Sequence, residues 1–125
     1  MPQQTALADD ILSYSPAGEV GFQDSYQKLS LILAGTRINH PSGGWHLLID
    51  VREWTGDRTS SELRSISTMI ARHKPALSCR CTVVCANDLQ YGLGRIFAVY
   101  LDGSGIVTQI FPDLPSTTAW LASPN

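Results

Sequence analysis

The chain has 125 residues, with nine Lys and Arg against eleven Asp and Glu and a formal net charge of −2. An apolar fraction of 43% suits a globular protein and is too rich for a disordered one, and the length matches one domain. A pI near 5.8, with no two adjacent basic residues, argues against nucleic acid as the partner. The longest apolar run, Ile96 to Leu101, has six residues, far short of the ~20 of a membrane-spanning helix.

Residues 1–8 read as a disordered lead-in, and 9–125 as a single domain. Met1 to Asp10 carries two acids and no Lys or Arg, so it does not read as a signal peptide. Asp10 to Tyr14 is a short first strand, followed by a Ser-Pro-Ala-Gly turn. Phe22, Tyr26, Leu29 and Leu33 then fall on one helical face, with Gly35 as the expected stop and a loop over residues 39–44.

Trp45 to Val51 is a near-continuous apolar run, as expected of a strand covered on both faces. Thr59-Ser60-Ser61-Glu62 fits a capping box. Leu63, Ile66 and Ile70 continue at helical spacing until Pro75. Cys79 to Ala86 is the next strand, and Asn87 or Asp88 caps a helix striped by Leu89, Leu93, Phe97 and Tyr100. Gly103-Ser104-Gly105 closes it. Ile106 to Phe111 is another strand, and Asp113-Leu114-Pro115 opens a last helix held by Trp120 and Leu121. Strands alternating with helices predict crossover connections and a largely parallel sheet.

Three stretches of the chain carry a family likeness. Leu47-Leu48-Ile49-Asp50-Val51-Arg52, Gly92-Leu93-Gly94-Arg95-Ile96-Phe97, and Ile110-Phe111-Pro112-Asp113 with Ala119-Trp120-Leu121 make residues 18–122 resemble the SpoIIAA-like or STAS-like group. That group includes bacterial anti-sigma-factor antagonists, and its fold also resembles the lipid-transfer CRAL-TRIO proteins. The resemblance implies an α/β fold: a mixed, largely parallel four- to five-stranded sheet with helices mainly on one side. It also implies a non-enzymatic, protein-binding regulatory domain of the bacterial cytoplasm. Antagonists carry a phosphorylatable Ser in an Asp-Ser-Ser-Gly-like step. The matching stretch here is Asp57-Arg58-Thr59-Ser60-Ser61-Glu62, with Glu62 replacing the Gly.

Each candidate site has a structural reading beside the functional one. The hydroxyl cluster is a helix cap or a phosphosite at Ser60, where the helix dipole favours a phosphate, with Arg52 and Arg58 as pairing groups. Asn87, Asp88, Tyr91 and Arg95 lie where open α/β sheets bind ligands. They form either close helix–sheet packing at Gly92 and Gly94 or a pocket with Arg95 anchoring an anion. Asp50 and Arg52, two apart on a strand, share a face and form an ion pair or face the same cleft.

Cys79, Cys81 and Cys85 share parity, but C-x-C-x3-C lacks metal-knuckle spacing, and buried reduced thiols of a cytoplasmic protein are expected. His40, His46 and His73 are scattered. No metal or other cofactor is expected, and no catalytic motif stands out. The leading expectation is capture of a protein partner by the surface from Arg52 to Ser61 and Asn87 to Tyr91. The alternative is a carrier or sensor of a small apolar or anionic ligand at the carboxyl ends of the strands, lined by Trp45, Trp54, Phe97 and Tyr100. A homodimer through an exposed Trp54 is a third.

Overall fold

The computed structural model describes residues 11–39, 45–73 and 77–123, without the side chains of 36–39, 45 and 77–79. The expected lead-in, the loop over 40–44 and the Pro75 stop lie outside the described residues, as do the side chains of Trp45 and Cys79. The elements run β1 (Ile11–Tyr14), α1 (Phe22–Asn39), β2 (Trp45–Asp50), α2 (Ser60–Ala71), β3 (Leu77–Val84), α3 (Asp88–Gly103), β4 (Val107–Phe111) and α4 (Leu114–Ala122).

The strands pair in sequence order, β1-β2-β3-β4. Every pair is parallel, with Leu12 opposite Leu47, Ile49 opposite Val83, and Val83 opposite Ile110. The α/β class expected from the alternation holds, and the described strands correct the expected mixed sheet to a wholly parallel one. The cause is connectivity. Each strand returns to its neighbour through a helix, and no hairpin joins two described strands. A sheet that grows in one direction by crossovers of one hand places the crossover helices on one face.

Side-chain alternation divides that sheet. On one face Leu47, Ile49, Cys81 and Val83 join Leu29 and Leu33 of α1, Leu63, Ile66, Met69 and Ile70 of α2, and Phe97 and Leu101 of α3. The opposite parity, Leu48 and Val84, packs under α4 with Leu121, Leu114 and Trp120. Arg80, also on that face, donates to Trp120 O at 2.5 Å and Ser123 O at 3.0 Å. Its guanidinium lies 4.8 Å from the Trp120 ring centroid, so it holds the carboxyl end of α4 against the sheet.

The helix caps follow the sequence. Thr59 and Glu62 close both bonds of the capping box. Asn87 Oδ1 accepts from Gln90 N, and Asp113 Oδ1 from Ser116 N. Two expectations change. Helix α1 runs through Gly35 to Asn39, because one Gly costs a helix only about 1 kcal/mol. On α3, the buried residues are Gln90, Gly94, Phe97 and Leu101, whereas Leu89 is 54% exposed. The helix is rotated so that a glutamine, not a leucine, faces inward.

Candidate functional site

The carboxyl ends of β1, β2 and β3 open towards α1, α2 and α3. The chain shapes that end by joining two loops. Gly18, at φ 72°, bridges to Trp54; its N–H donates to Glu53 O and its carbonyl accepts from Thr55 N. This left-handed turn favours glycine. Gly56 allows a second close approach, since a Cβ there would stand 2.7 Å from Trp54 Nε1. Trp54 is therefore buried, at 7% exposure, and is not the exposed patch expected of a homodimer contact.

Beneath these loops lies a cavity of about 80 Å³. Its walls are mainly apolar, among them Leu29, Ile49, Leu63, Ile66, Val83 and Phe97, with Trp54 beside them. Four polar side chains also line it: Tyr14, Ser25, Arg58 and Gln90. Tyr14 Oη donates to Ser25 Oγ at 3.1 Å. Arg58 Nη2 donates to Ser25 Oγ and to Val20 O, both at 2.8 Å, and Nη1 donates to Asp57 O at 2.8 Å. Its guanidinium lies 4.8 Å from the Trp54 ring centroid. The Trp54 indole donates to the same Val20 carbonyl at 3.3 Å.

Gln90 is fully occupied. Its Nε2 donates to Val51 O at 2.6 Å and Trp54 O at 3.0 Å, and its Oε1 accepts from Ala86 N at 2.6 Å. One buried amide thus joins the β2–α2 loop to the β3–α3 loop and fixes the roof of the cavity.

The candidate residues divide into three groups. Asp50 has the parity of Leu48 and lies on the α4 face. There it accepts from Arg52 Nε at 3.0 Å and Nη2 at 2.8 Å. This ion pair, with further attraction from Glu53 and Asp113, raises the Arg52 pKa. The Ser116 amide and hydroxyl lower that of Asp113, with Arg52 adding to it. Asp50 and Arg52 are therefore not part of the cavity.

The second group surrounds the start of α2. Ser60 is exposed, and its Oγ is 2.7 Å from Tyr100 Oη. Arg64, one turn further, lies 5.6 Å from the Tyr100 ring centroid. Arg58 turns away from this cluster into the cavity wall.

The third group is the start of α3. Asn87 caps the helix, Asp88 and Arg95 are exposed, and Tyr91 packs against the main core. Arg95, the expected anion anchor, does not line the cavity; the arginine in its wall is Arg58. Gly94 has the close packing expected of it, with a Cβ there meeting Ile110 Cδ1 at 3.3 Å, while Gly92 faces open space. Of the expected aromatic lining, Trp54 and Phe97 are present and Tyr100 is not.

Sequence reading missed Tyr14, Ser25 and Gln90. Ser25 carried a signal, because it lies within the stripe from Phe22 to Leu33, where a polar residue is out of place. Gln90 carried one too, standing four residues before Gly94 on the same helical face.

Among the described residues, no group of three or more His, Cys, Asp or Glu is placed to hold a metal, and no helix is long and apolar enough to cross a membrane.

No protein-family model matches the sequence, and no curated protein does. A solved structure does match: an uncharacterised DUF3478-family protein with a SpoIIAA-like fold from Shewanella loihica PV-4. It is 19% identical, with a TM-score of 0.64 over 91% of this chain and 86% of that one. The chain therefore has a SpoIIAA-like fold, as its motifs implied.

Proposed function

We propose that this SpoIIAA-like fold serves as a non-catalytic binding domain of the cytoplasm, holding a small ligand at the carboxyl ends of its strands. The observation that carries the reading is the apolar cavity between those strand ends and three helices, with Tyr14 and Ser25 gathered around Arg58 in its wall. Such a site, mostly apolar with a few placed polar groups, is the usual form of a small-molecule pocket. The ionisable side chains of its lining are Tyr14 and Arg58. Acid–base catalysis uses His most often and then the carboxylates, and no described residue of either kind lines the cavity. Free buried thiols at Cys81 and Cys85 support a reducing compartment.

The test is a native mass spectrum of protein purified from its own cells, beside a denaturing one. An adduct kept only in the native spectrum, and absent from a cavity-filling Leu63→Phe variant that remains folded, is the expected result. Bare native masses for both proteins count against the reading.

The exposed Ser60 favours a second reading, capture of a protein partner under phosphorylation control. A phosphate on Ser60 would meet the amino end of α2 and Arg64 one turn on. Ser60→Asp is then expected to change partner capture, and a phosphate mass that survives denaturation would support it.

A further inference from the structure

The polar end of the cavity is rich in hydrogen-bond donors and poor in acceptors. A guanidinium has five N–H donors. Three of those of Arg58 go to neutral oxygens: Val20 O, Ser25 Oγ and Asp57 O. No carboxylate among the described residues forms an ion pair with its guanidinium; the neighbouring Asp57 carboxylate accepts from the Arg58 backbone N–H at 2.7 Å. Ser25 Oγ already accepts from Arg58, and a guanidinium can only donate. In the bond between Tyr14 and Ser25, one hydroxyl proton is used and the other is left without an acceptor among the described residues. One guanidinium without an ion-pair partner among the described residues, with two N–H groups, and one O–H therefore remain at the edge of an apolar cavity.

Size and charge narrow what can fill it. The cavity of about 80 Å³ is roughly half the ~150 Å³ of an apolar cavity that accepts benzene, so its space suits about three or four carbons. A single guanidinium matches a single negative charge. A phosphate ester, with more charge to neutralise, calls for a second cation, and none lines the cavity. A carboxylate suits the planar donor fork of an arginine.

We infer that the cavity takes a short-chain monocarboxylate, its head on Arg58 and the Tyr14–Ser25 pair and its apolar tail between Leu29, Ile66 and Phe97. The inference rests on the pocket reading above and specifies its ligand class. Arg58 then has two tasks. Its bonds to Val20 and Ser25 hold the loop that closes the cavity, and its remaining donors receive the head group.

The experiment titrates the unaltered, isotope-labelled chain with isovalerate, with isoamyl alcohol as the uncharged counterpart, and with xenon as a probe of the cavity alone. Backbone amide NMR shifts report each. The expected result is that isovalerate perturbs the amides of residues around Ser25, Arg58 and Gln90, with affinity about tenfold or more above that of the alcohol, as a charged hydrogen bond implies. Arg58→Met is expected to abolish the difference between acid and alcohol, and Ser25→Ala to reduce it. Because acid and alcohol are compared on the unaltered chain, a misfolded variant does not decide the outcome. Equal affinity for acid and alcohol at these residues overturns the carboxylate inference and leaves the pocket reading standing. Xenon binding without either organic probe does the same. No response to any of the three overturns both.

Discussion

At the scale of single residues, two buried polar side chains on opposite faces of the sheet have opposite energetic signs. Gln90 satisfies three backbone groups from two loops. Gln90→Leu would leave those groups without partners where water has little access, so a loss of about 3 kcal/mol is expected. Urea denaturation measures it, and the loops around Trp54 should show the earliest loss of amide protection. Thr82 is fully buried on the α4 face, and its hydroxyl has no hydrogen-bond partner among the described residues. Thr82→Val keeps the shape and removes the unpaired group, so a gain of about 1 kcal/mol is expected in the same assay. A destabilised valine variant would show that the hydroxyl has a partner after all. Neither sign is readable from residue type, because both depend on what surrounds the side chain.

At the scale of elements, helix starts are decided locally and helix faces are not. Thr59, Asn87 and Asp113 each place an oxygen over an amide three residues on, which uses nothing beyond neighbouring sequence. Thr59→Ala is expected to cost about 1 kcal/mol, measurable as a lower denaturation midpoint with the fold intact. The Asp113 carboxyl, held low by the Ser116 amide, should titrate below the usual 3.8 when followed by carbon NMR. Its contribution is present above that value and is lost as the pH falls through the lower, folded value. Within α3, Gly92 faces open space while a Cβ on Gly94 would press on Ile110. Gly92→Ala should therefore stabilise by about 0.5–1 kcal/mol through helix propensity, and Gly94→Val should destabilise through overpacking. Thermal melts of the two variants should move in opposite directions.

At the scale of the whole molecule, the two central thiols link the core to pH. Burial pushes Cys81 up to about 12 and Cys85 up to about 11, from an ordinary 9.0; the Asp50 charge adds to the shift of Cys85. Folding therefore favours the protonated thiols. That advantage is complete below pH 9.0 and is lost as the pH rises towards the folded values, because the unfolded chain releases its protons first. Urea midpoints measured upward from pH 8 should fall in the alkaline range. The fall should be shallower in the Cys81→Ala, Cys85→Ala variant, and an unchanged slope would show that these thiols do not carry it.

The sequence by itself determined the alternation of strands and helices, the caps at Thr59 and Asp113 and, to within Asn87 or Asp88, the cap of α3, and the inward faces of α1 and α2. Periodicity and capping are short-range properties, set within a few residues of each position. The Leu47–Arg52, Gly92–Phe97 and Ile110–Asp113 motifs also carried the SpoIIAA-like fold, because a strand end and the turn after it are contiguous in the chain. The cavity was only partly legible. Trp54 and Phe97 were foreseen as its lining; Arg58 was expected as a pairing group for a phosphate on Ser60, and the Tyr14–Ser25–Arg58 network was not foreseen. Those three residues come from separate elements up to 44 positions apart, and only the parallel stacking of β1 beside β2 brings them together. The face of α3 was decided the same way. Leu89 is the more apolar residue, but Gln90 turns inward because two loops, joined only in three dimensions, present buried backbone groups that a leucine cannot satisfy.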